Sequence, residues 1–324
     1  MFKVKTGKNR SFSLKVGSQI SKNRSFCPIL IILTSRKLFY GKCLERLYLC
    51  EEAIIKSANW HITIKCNYNC KFCFSRRLDK EIEDLNSARD MLDQLKNLGI
   101  EKITITGGEP LLHPLFFDIA KMAKDIGFVV SMVSNGSYLN ANVVSKLSPF
   151  LDWIGLSIDS ANEIVETALG RGSGNHVENI KKLARCIHKT KIRLKINTTV
   201  TKLNYTEDME PLIEQLKPER WKIFQVLPIK GQNDCFLDQL LITKEEFFHF
   251  KNINNSCAGA KSFIFESNED MINSYFILSP AGKIVHNLDG TNNLLTPLSE
   301  VDRRSLSQVI DSNKYKDRGA IYPW

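Results

Sequence analysis

At 324 residues and 43% hydrophobic, the chain can bury a full core, which excludes a disordered protein and suits one large α/β domain or two small ones. Its formal charge of +10 is unevenly placed: 11 of the 45 Lys and Arg residues, but only one of the 35 acids, fall in the first fifty positions, leaving a neutral body and arguing against a nucleic-acid-binding protein. Nine cysteines are too few and too uneven for a disulfide scaffold, and three of them lie within eight residues, so a reducing, cytoplasmic setting is expected.

In chain order, residues 1–52 read as a basic, flexible leader. The pentapeptide Lys-Asn-Arg-Ser-Phe occurs at residues 8–12 and again at 22–26, without a sustained helical or strand period. The apolar run at residues 28–33 is too short to span a bilayer, and no small-residue cleavage site follows it; a soluble protein is expected. A strand-then-helix rhythm then sets in. Strands are expected at 60–65, 102–106, 128–134, 153–158, 192–200 and 221–227, with helices at 86–98, 115–125, 177–188 and 207–216. Six strands alternating with helices imply parallel pairing through right-handed crossovers. The expected fold class is therefore α/β, a partial (βα)6 TIM-type barrel over residues 53–228. Residues 229–324 are expected to cap it, with a helix near 244–251 and a strand at 275–278.

In such barrels the chemistry gathers at the C-terminal ends of the strands. Cys66, Cys70 and Cys73 follow the first strand with C-x3-C-x2-C spacing. Three thiolates there can hold three irons of a cubane and leave the fourth open. A structural zinc site or buried free thiols are the alternatives, but zinc usually takes four ligands, and none lies nearby downstream, although His61 is on the preceding strand. Phe72, between the last two cysteines, is placed to shield a cluster from water. Gly107-Gly108-Glu109-Pro110 follows the second strand, where glycines let backbone come close to a ligand. Asn135 follows the third strand and Ser157 closes the fourth; both are also ordinary turn and strand-end residues.

The cysteine spacing, Tyr68, Phe72 and the Gly-Gly-Glu-Pro run together resemble the radical S-adenosylmethionine (SAM) superfamily. The resemblance implies a 4Fe-4S cluster on the three cysteines and SAM as second cofactor. Phe72, Thr106, Gly107, Gly108, Glu109, Asn135 and Ser157 would be the SAM-binding residues.

A closer resemblance, over residues 56–324, is to the viperin family. It rests on Ser-Ala-Asn-Trp-His (57–61), Gly-Arg-Gly (170–172), Asn-His-Val-Glu-Asn (175–179), Lys-Ile-Asn (195–197), Arg-Trp-Lys-Ile-Phe-Gln (220–225), Glu-Ser-Asn (266–268), Met271, Ser274-Tyr275 and the terminal Tyr-Pro-Trp. Viperins convert a nucleoside triphosphate, CTP in the animal enzymes, to its 3′-deoxy-3′,4′-didehydro form, an antiviral chain terminator. The resemblance implies removal of the ribose 4′ hydrogen by a 5′-deoxyadenosyl radical, then loss of the 3′ hydroxyl as water. It makes Lys102, Arg171, Lys195, Arg220 and Lys222 triphosphate ligands, puts Asn197 near the ribose and Asn59 in the pocket, and lets Tyr275 assist proton delivery. The residue types agree, since a triphosphate needs several converging cations and Arg can grip its oxygens in a fork. No Walker motif is present, so hydrolysis is not expected.

UTP or GTP could replace CTP, because residues 286–300 do not match the animal C-terminal loop well. An electron donor such as flavodoxin or a reductase, and iron–sulfur assembly machinery, are expected partners. No stable nucleic-acid partner is expected. Animal viperins attach to lipid through an amphipathic helix, and the leader lacks such a face, so membrane attachment is not expected. Two rival readings remain at this stage. A peptide maturase or cyclase of the same superfamily would usually bring a second cysteine cluster after the barrel, whereas downstream of Cys73 only the scattered Cys186, Cys235 and Cys257 remain. A non-enzymatic, metal-stabilised RNA-binding protein would use the basic leader.

Overall fold

The computed structural model describes residues 55–256 and 259–324. The basic leader, its repeated pentapeptide and Cys257 lie outside these residues. Strands β1 (Ser57–Thr63), β2 (Lys102–Gly107), β3 (Val129–Ser134), β4 (Trp153–Ser157), β5 (Arg193–Val200) and β6 (Arg220–Gln225) run parallel in chain order within one sheet. They are the six strands expected from the sequence, each within a few residues. Helices α1 (Leu85–Asn97), α2 (Phe116–Asp125), α3 (Ala141–Leu147), α4 (Glu163–Ala168), α5 (His176–Ile187) and α6 (Glu210–Leu216) fill the crossovers. The apolar faces of the longer ones, such as Ala88, Leu92 and Leu95 of α1 or Val177, Ile180 and Leu183 of α5, are buried.

Helix α6 begins three residues later than its periodicity suggests. Glu207 instead turns its carboxylate to Ser160, which donates from Oγ at 2.6 Å, and to the Ala161 amide at 2.7 Å. Helices α3 and α4 were too short for a periodic signal; Asn140 and Asn162 cap them through their side chains.

After β6 come α7 (Leu237–Leu240) and α8 (Lys244–Ile253), then β7 (Phe263–Glu266), α9 (Asn268–Met271), β8 (Ile277–Leu278), β9 (Lys283–His286), β10 (Asn293–Pro297), α10 (Arg303–Val309) and α11 (Ser312–Asp317). This segment does more than cap. β7 pairs parallel with β6, and β8 pairs parallel with β1, so the C-terminal residues extend both edges of the sheet. The parallel run is therefore eight adjacent strands, β8 and then β1 to β7, rather than six, with β9 antiparallel to β8 and β10 antiparallel to β9. The sheet order β10-β9-β8-β1-β2-β3-β4-β5-β6-β7 has two ends, which is the open form of a barrel. Trp60, Ile62, Ile103, Ile105, Ile196 and Trp221 point outward from alternate strand positions into the helix layer, all fully buried. Among the described residues, no helix is long and apolar enough to cross a membrane.

Candidate active site

The strand positions between these apolar ones face a cavity of about 500 Å³. β1 contributes Asn59 and His61, β2 Lys102, Thr104 and Thr106, β5 Lys195, Asn197 and Thr199, and β6 Arg220, Lys222 and Phe224. Parallel register sets their levels: Lys195 lies beside Gly155 on β4 and Arg220 on β6, while Asn197 lies beside Ser157 and Lys222. Gly155 leaves room for its neighbour, since a Cβ there would come within 2.9 Å of Lys195 Cε and displace that side chain.

At the C-terminal ends of the strands, Cys66, Cys70 and Cys73 line one end of this cavity with Phe72, Gly107, Gly108, Asn135 and Ser157. Backbone contacts hold the cysteine loop. The amides of Asn69 and Lys71 donate to the carbonyls of Gly170 (3.2 Å) and Leu169 (2.8 Å), and those of Gly108 and Glu109 donate to Thr63 (2.7 Å) and Lys65 (2.8 Å). Cys66 Sγ accepts from the Tyr68 amide at 3.4 Å. Burial pushes the Cys70 thiol up to about 12 and raises that of Cys66, so a thiolate at either position needs a bound cation to compensate it. Among the described residues, no three His, Cys, Asp or Glu side chains converge on a single-ion site. Thiolates holding three separate irons of a cubane need not converge.

The Gly-Gly-Glu-Pro run has structural partners that the sequence did not show. Gly107 and Gly108 line the cavity and also pack on the segment leading into the cysteine loop: a Cβ would lie 2.2 Å from the Thr63 carbonyl oxygen or 2.1 Å from that of Lys65, and Gly107 has φ +145°. Glu109 does not line the cavity. It is fully buried and accepts hydrogen bonds from Ser134 Oγ (2.9 Å), the Asn135 amide (2.9 Å) and the Leu111 amide (3.3 Å). Burial raises its carboxyl to about 7. Glu109 therefore fixes the Ser134–Gly136 turn and, through it, Asn135, whose side-chain amide donates to Asn67 Oδ1 at 3.0 Å.

Arg171 also departs from expectation. Its guanidinium is paired with Asp159 and lies 3.8 Å from Glu166, both buried, and stands 5.2 Å over the Phe72 ring. Burial alone would lower its pKa, but Asp159, Cys70 and Glu166 outweigh that and raise it. Arg171 thus belongs to the cysteine end of the cavity, with its charge already compensated, and not with the other four cations.

Those four do share one region, the opposite end, where Lys102 and Arg220 open their strands. Burial and the charges of Lys195, Arg220 and Lys222 lower Lys102 to about 5. Lys195 is lowered to about 7 by burial, Lys222 and Arg220. Lys222 is lowered by burial to about 8, although Glu266 at the end of β7 pairs with it. Lys222 Nζ also donates to Tyr275 Oη at 2.8 Å, and Tyr275 donates to Glu266. Burial, then Glu266, raises the phenol well above its ordinary value. Asn197 Oδ1 is buried without a partner.

The sequence reading missed several lining residues. Arg318 stacks 3.5 Å over Tyr275 and donates to the Ser274 carbonyl at 2.9 Å. Tyr322 meets Lys102 through its hydroxyl. His61, lowered to about 4 by burial, is neutral and leaves Nδ1 without a partner. His61 had a visible signal in the alternation Ser57, Asn59, His61 along β1, and Tyr322 in the terminal Tyr-Pro-Trp run of the resemblance; Arg318 had none.

Comparison with known proteins names this arrangement. The radical SAM superfamily profile matches residues 60–216. An S-adenosylmethionine-dependent nucleotide dehydratase of Thermoplasmatales archaeon (strain ISO4-H5) is 38% identical over 83% of this chain and 96% of its own length. The chain belongs to this family, the viperins. The viperin-family relative from Flammeovirga pacifica, of the same printed name, is likewise 38% identical over 84% of this chain and 97% of its own. The dehydratase RSAD2 of Siniperca chuatsi is 34% identical over 83% and 79%. Among solved structures, Streptococcus suis SuiB bound to S-adenosylmethionine has a TM-score of 0.62 at 15% identity, covering 89% of this chain and 75% of that one, a likeness of fold alone. As a viperin-family member the chain is a radical SAM enzyme whose cofactors are a 4Fe-4S cluster and SAM. The cysteine loop and the glycine edge packed against it fit that pair.

Proposed function

We propose that this enzyme takes a nucleoside triphosphate, CTP before UTP or GTP, and converts it to the 3′-deoxy-3′,4′-didehydro analogue, an antiviral chain terminator. The carrying observation is that one cavity joins the cysteine loop to a cationic floor. β1 spans seven residues, about 20 Å at ~3.3 Å per residue, so a cofactor and a nucleotide can lie end to end along it.

When bound, the cluster and SAM supply the radical that removes the ribose 4′ hydrogen. The chain's own residues hold the substrate for it. Lys102, Lys195, Arg220, Lys222 and Arg318 take the triphosphate, which fixes the depth of the ribose below the cysteine loop. Asn197 Oδ1 accepts from a ribose hydroxyl, which satisfies its orphaned lone pairs. Asn59 borders the nucleoside. Phe72, Thr106, Gly107, Gly108, Asn135 and Ser157 border SAM, while Glu109 and Arg171 support that end from behind. Tyr275 Oη, between a carboxylate and an ammonium, can release a proton toward the departing 3′ oxygen and regain one from Lys222. A flavodoxin or reductase supplies electrons, iron–sulfur assembly machinery loads the cluster, and the setting is cytoplasmic. Residues 229–324 are the part that closes the substrate end.

The test is anaerobic incubation of the reconstituted enzyme with SAM, dithionite and each of CTP, UTP, GTP and ATP. Formation of 5′-deoxyadenosine should be stimulated by at least one triphosphate, with a product lighter than it by one water. If 5′-deoxyadenosine forms and no triphosphate stimulates it, the substrate reading fails.

A further inference from the structure

The last residues of the chain return to the N-terminal end of the barrel and close the cavity floor. Arg220 donates to the Gly319 carbonyl at 2.6 Å, which seats the tail. Tyr322 then enters between the cations: its hydroxyl is hydrogen-bonded to Lys102 Nζ, and its ring lies 3.9 Å from the Arg220 guanidinium. Trp153 and Trp324 pack edge-on against that ring at 5.7 and 5.3 Å, fixing its position. Parallel register places Lys222 beside Asn197 and Lys195 beside Arg220, while Lys102 is the first residue of β2, paired with the first of β3. The cations are therefore graded in depth, and the Tyr322 hydroxyl sits on the deepest, Lys102.

We infer that Tyr322 makes the site count phosphates: its hydroxyl, set on the deepest cation, Lys102, meets the terminal phosphate of a triphosphate and is out of reach of a diphosphate. This rests on the reading of the substrate as a nucleoside triphosphate. A shorter chain anchored by its ribose ends among Lys222, Lys195 and Arg220 and leaves the Lys102–Tyr322 pair as it is. A full-length chain reaches that pair, takes a hydrogen bond from the phenol, and lets Lys102, a neutral amine in the free enzyme, become an ammonium beside phosphate.

The experiment measures equilibrium binding of CTP, CDP, ribose 5-triphosphate and ribose 5-diphosphate to the anaerobic full-length holoenzyme and to Tyr322→Phe, which keeps the ring and its packing. Wild type should prefer the triphosphate of each pair. Tyr322→Phe should weaken the longer member of each pair by about tenfold, the worth of one charge-assisted hydrogen bond, and leave the shorter unchanged. Equal weakening of both members, as from a loosened tail, overturns the inference; so does no change in either. The base-free pair, which keeps the ribose anchor, separates this inference from the substrate reading. If its discrimination depends on Tyr322 while no nucleotide binds, the nucleotide reading fails and the phosphate count stands.

Discussion

The cationic floor predicts that triphosphate binding takes up protons. In the free enzyme Lys102, Lys195 and Lys222 are lowered to about 5, 7 and 8, in each case by burial first. Near pH 7.5, Lys102 is neutral, Lys195 mostly neutral and Lys222 mostly charged. A polyanion beside them favours the ammonium forms and returns each toward its ordinary value. The sign follows: for a lysine whose pKa is low in the free site and raised in the complex, affinity is full below the free-site value. It is then lost as pH rises through that value toward the bound one. Summed over the three lysines, complexation near pH 7.5 takes up about two protons, and even one weakens binding about tenfold per pH unit. Isothermal titration of CTP or tripolyphosphate in two buffers of different ionisation enthalpy gives the proton count directly. Titrations between about pH 7 and 8.5 give the slope. An observed enthalpy that is the same in both buffers, or an affinity that rises with pH, would refute the reasoning. The same linkage makes the nucleotide a stabiliser: at a hundred times its dissociation constant it adds about 2.7 kcal/mol to the fold, which a thermal melt reads.

Three further outcomes are expected. Glu266→Gln removes the buried counter-charge of Lys222 and should destabilise the nucleotide-free protein by about 3–5 kcal/mol in denaturant unfolding, part of it recovered with triphosphate; full stability in the free protein would show that the pair matters little. Gly108→Ala places a Cβ 2.1 Å from the Lys65 carbonyl oxygen, so the cysteine loop must move and iron content after anaerobic reconstitution should drop well below wild type; normal iron and sulfide would remove the argument for that glycine. Arg171→Ala should lower iron retention, because Asp159 and Glu166 lose their partner behind Cys70 and Phe72, yet leave tripolyphosphate affinity within about twofold; a large loss of that affinity would return Arg171 to the triphosphate ligands.

What was legible in the sequence was what local spacing encodes. The cysteines at 66, 70 and 73 identify themselves by their local spacing and the glycine edge at 107–108 by its motif, although the carbonyls that require those glycines, on Thr63 and Lys65, lie far upstream in the chain. Lys195 with Asn197, and Arg220 with Lys222, stood out through the family resemblance, and the period-two alternation of strand side chains puts each pair on one face, as found. Arg171 could not, since an arginine two residues from a turn looks the same whether it faces phosphate or carboxylate. Only the fold shows that Asp159, closing the β4 end, and Glu166, fully buried on α4, have already taken its charge. β7 escaped because four residues are too few for a period, although Phe263, Ile264 and Phe265 suit a strand. The floor escaped for a different reason: Lys102 and Tyr322 are 220 residues apart, and nothing near either residue signals the other. Burying several lysines together is unfavourable for folding, as their lowered pKa values show, and no packing gain requires it. A fold that holds them in one cavity where, among the described residues, the one ion pair to these lysines is Lys222 with buried Glu266 is built to be completed by an anion, and on the inference above the tail that closes the floor sets how long that anion must be.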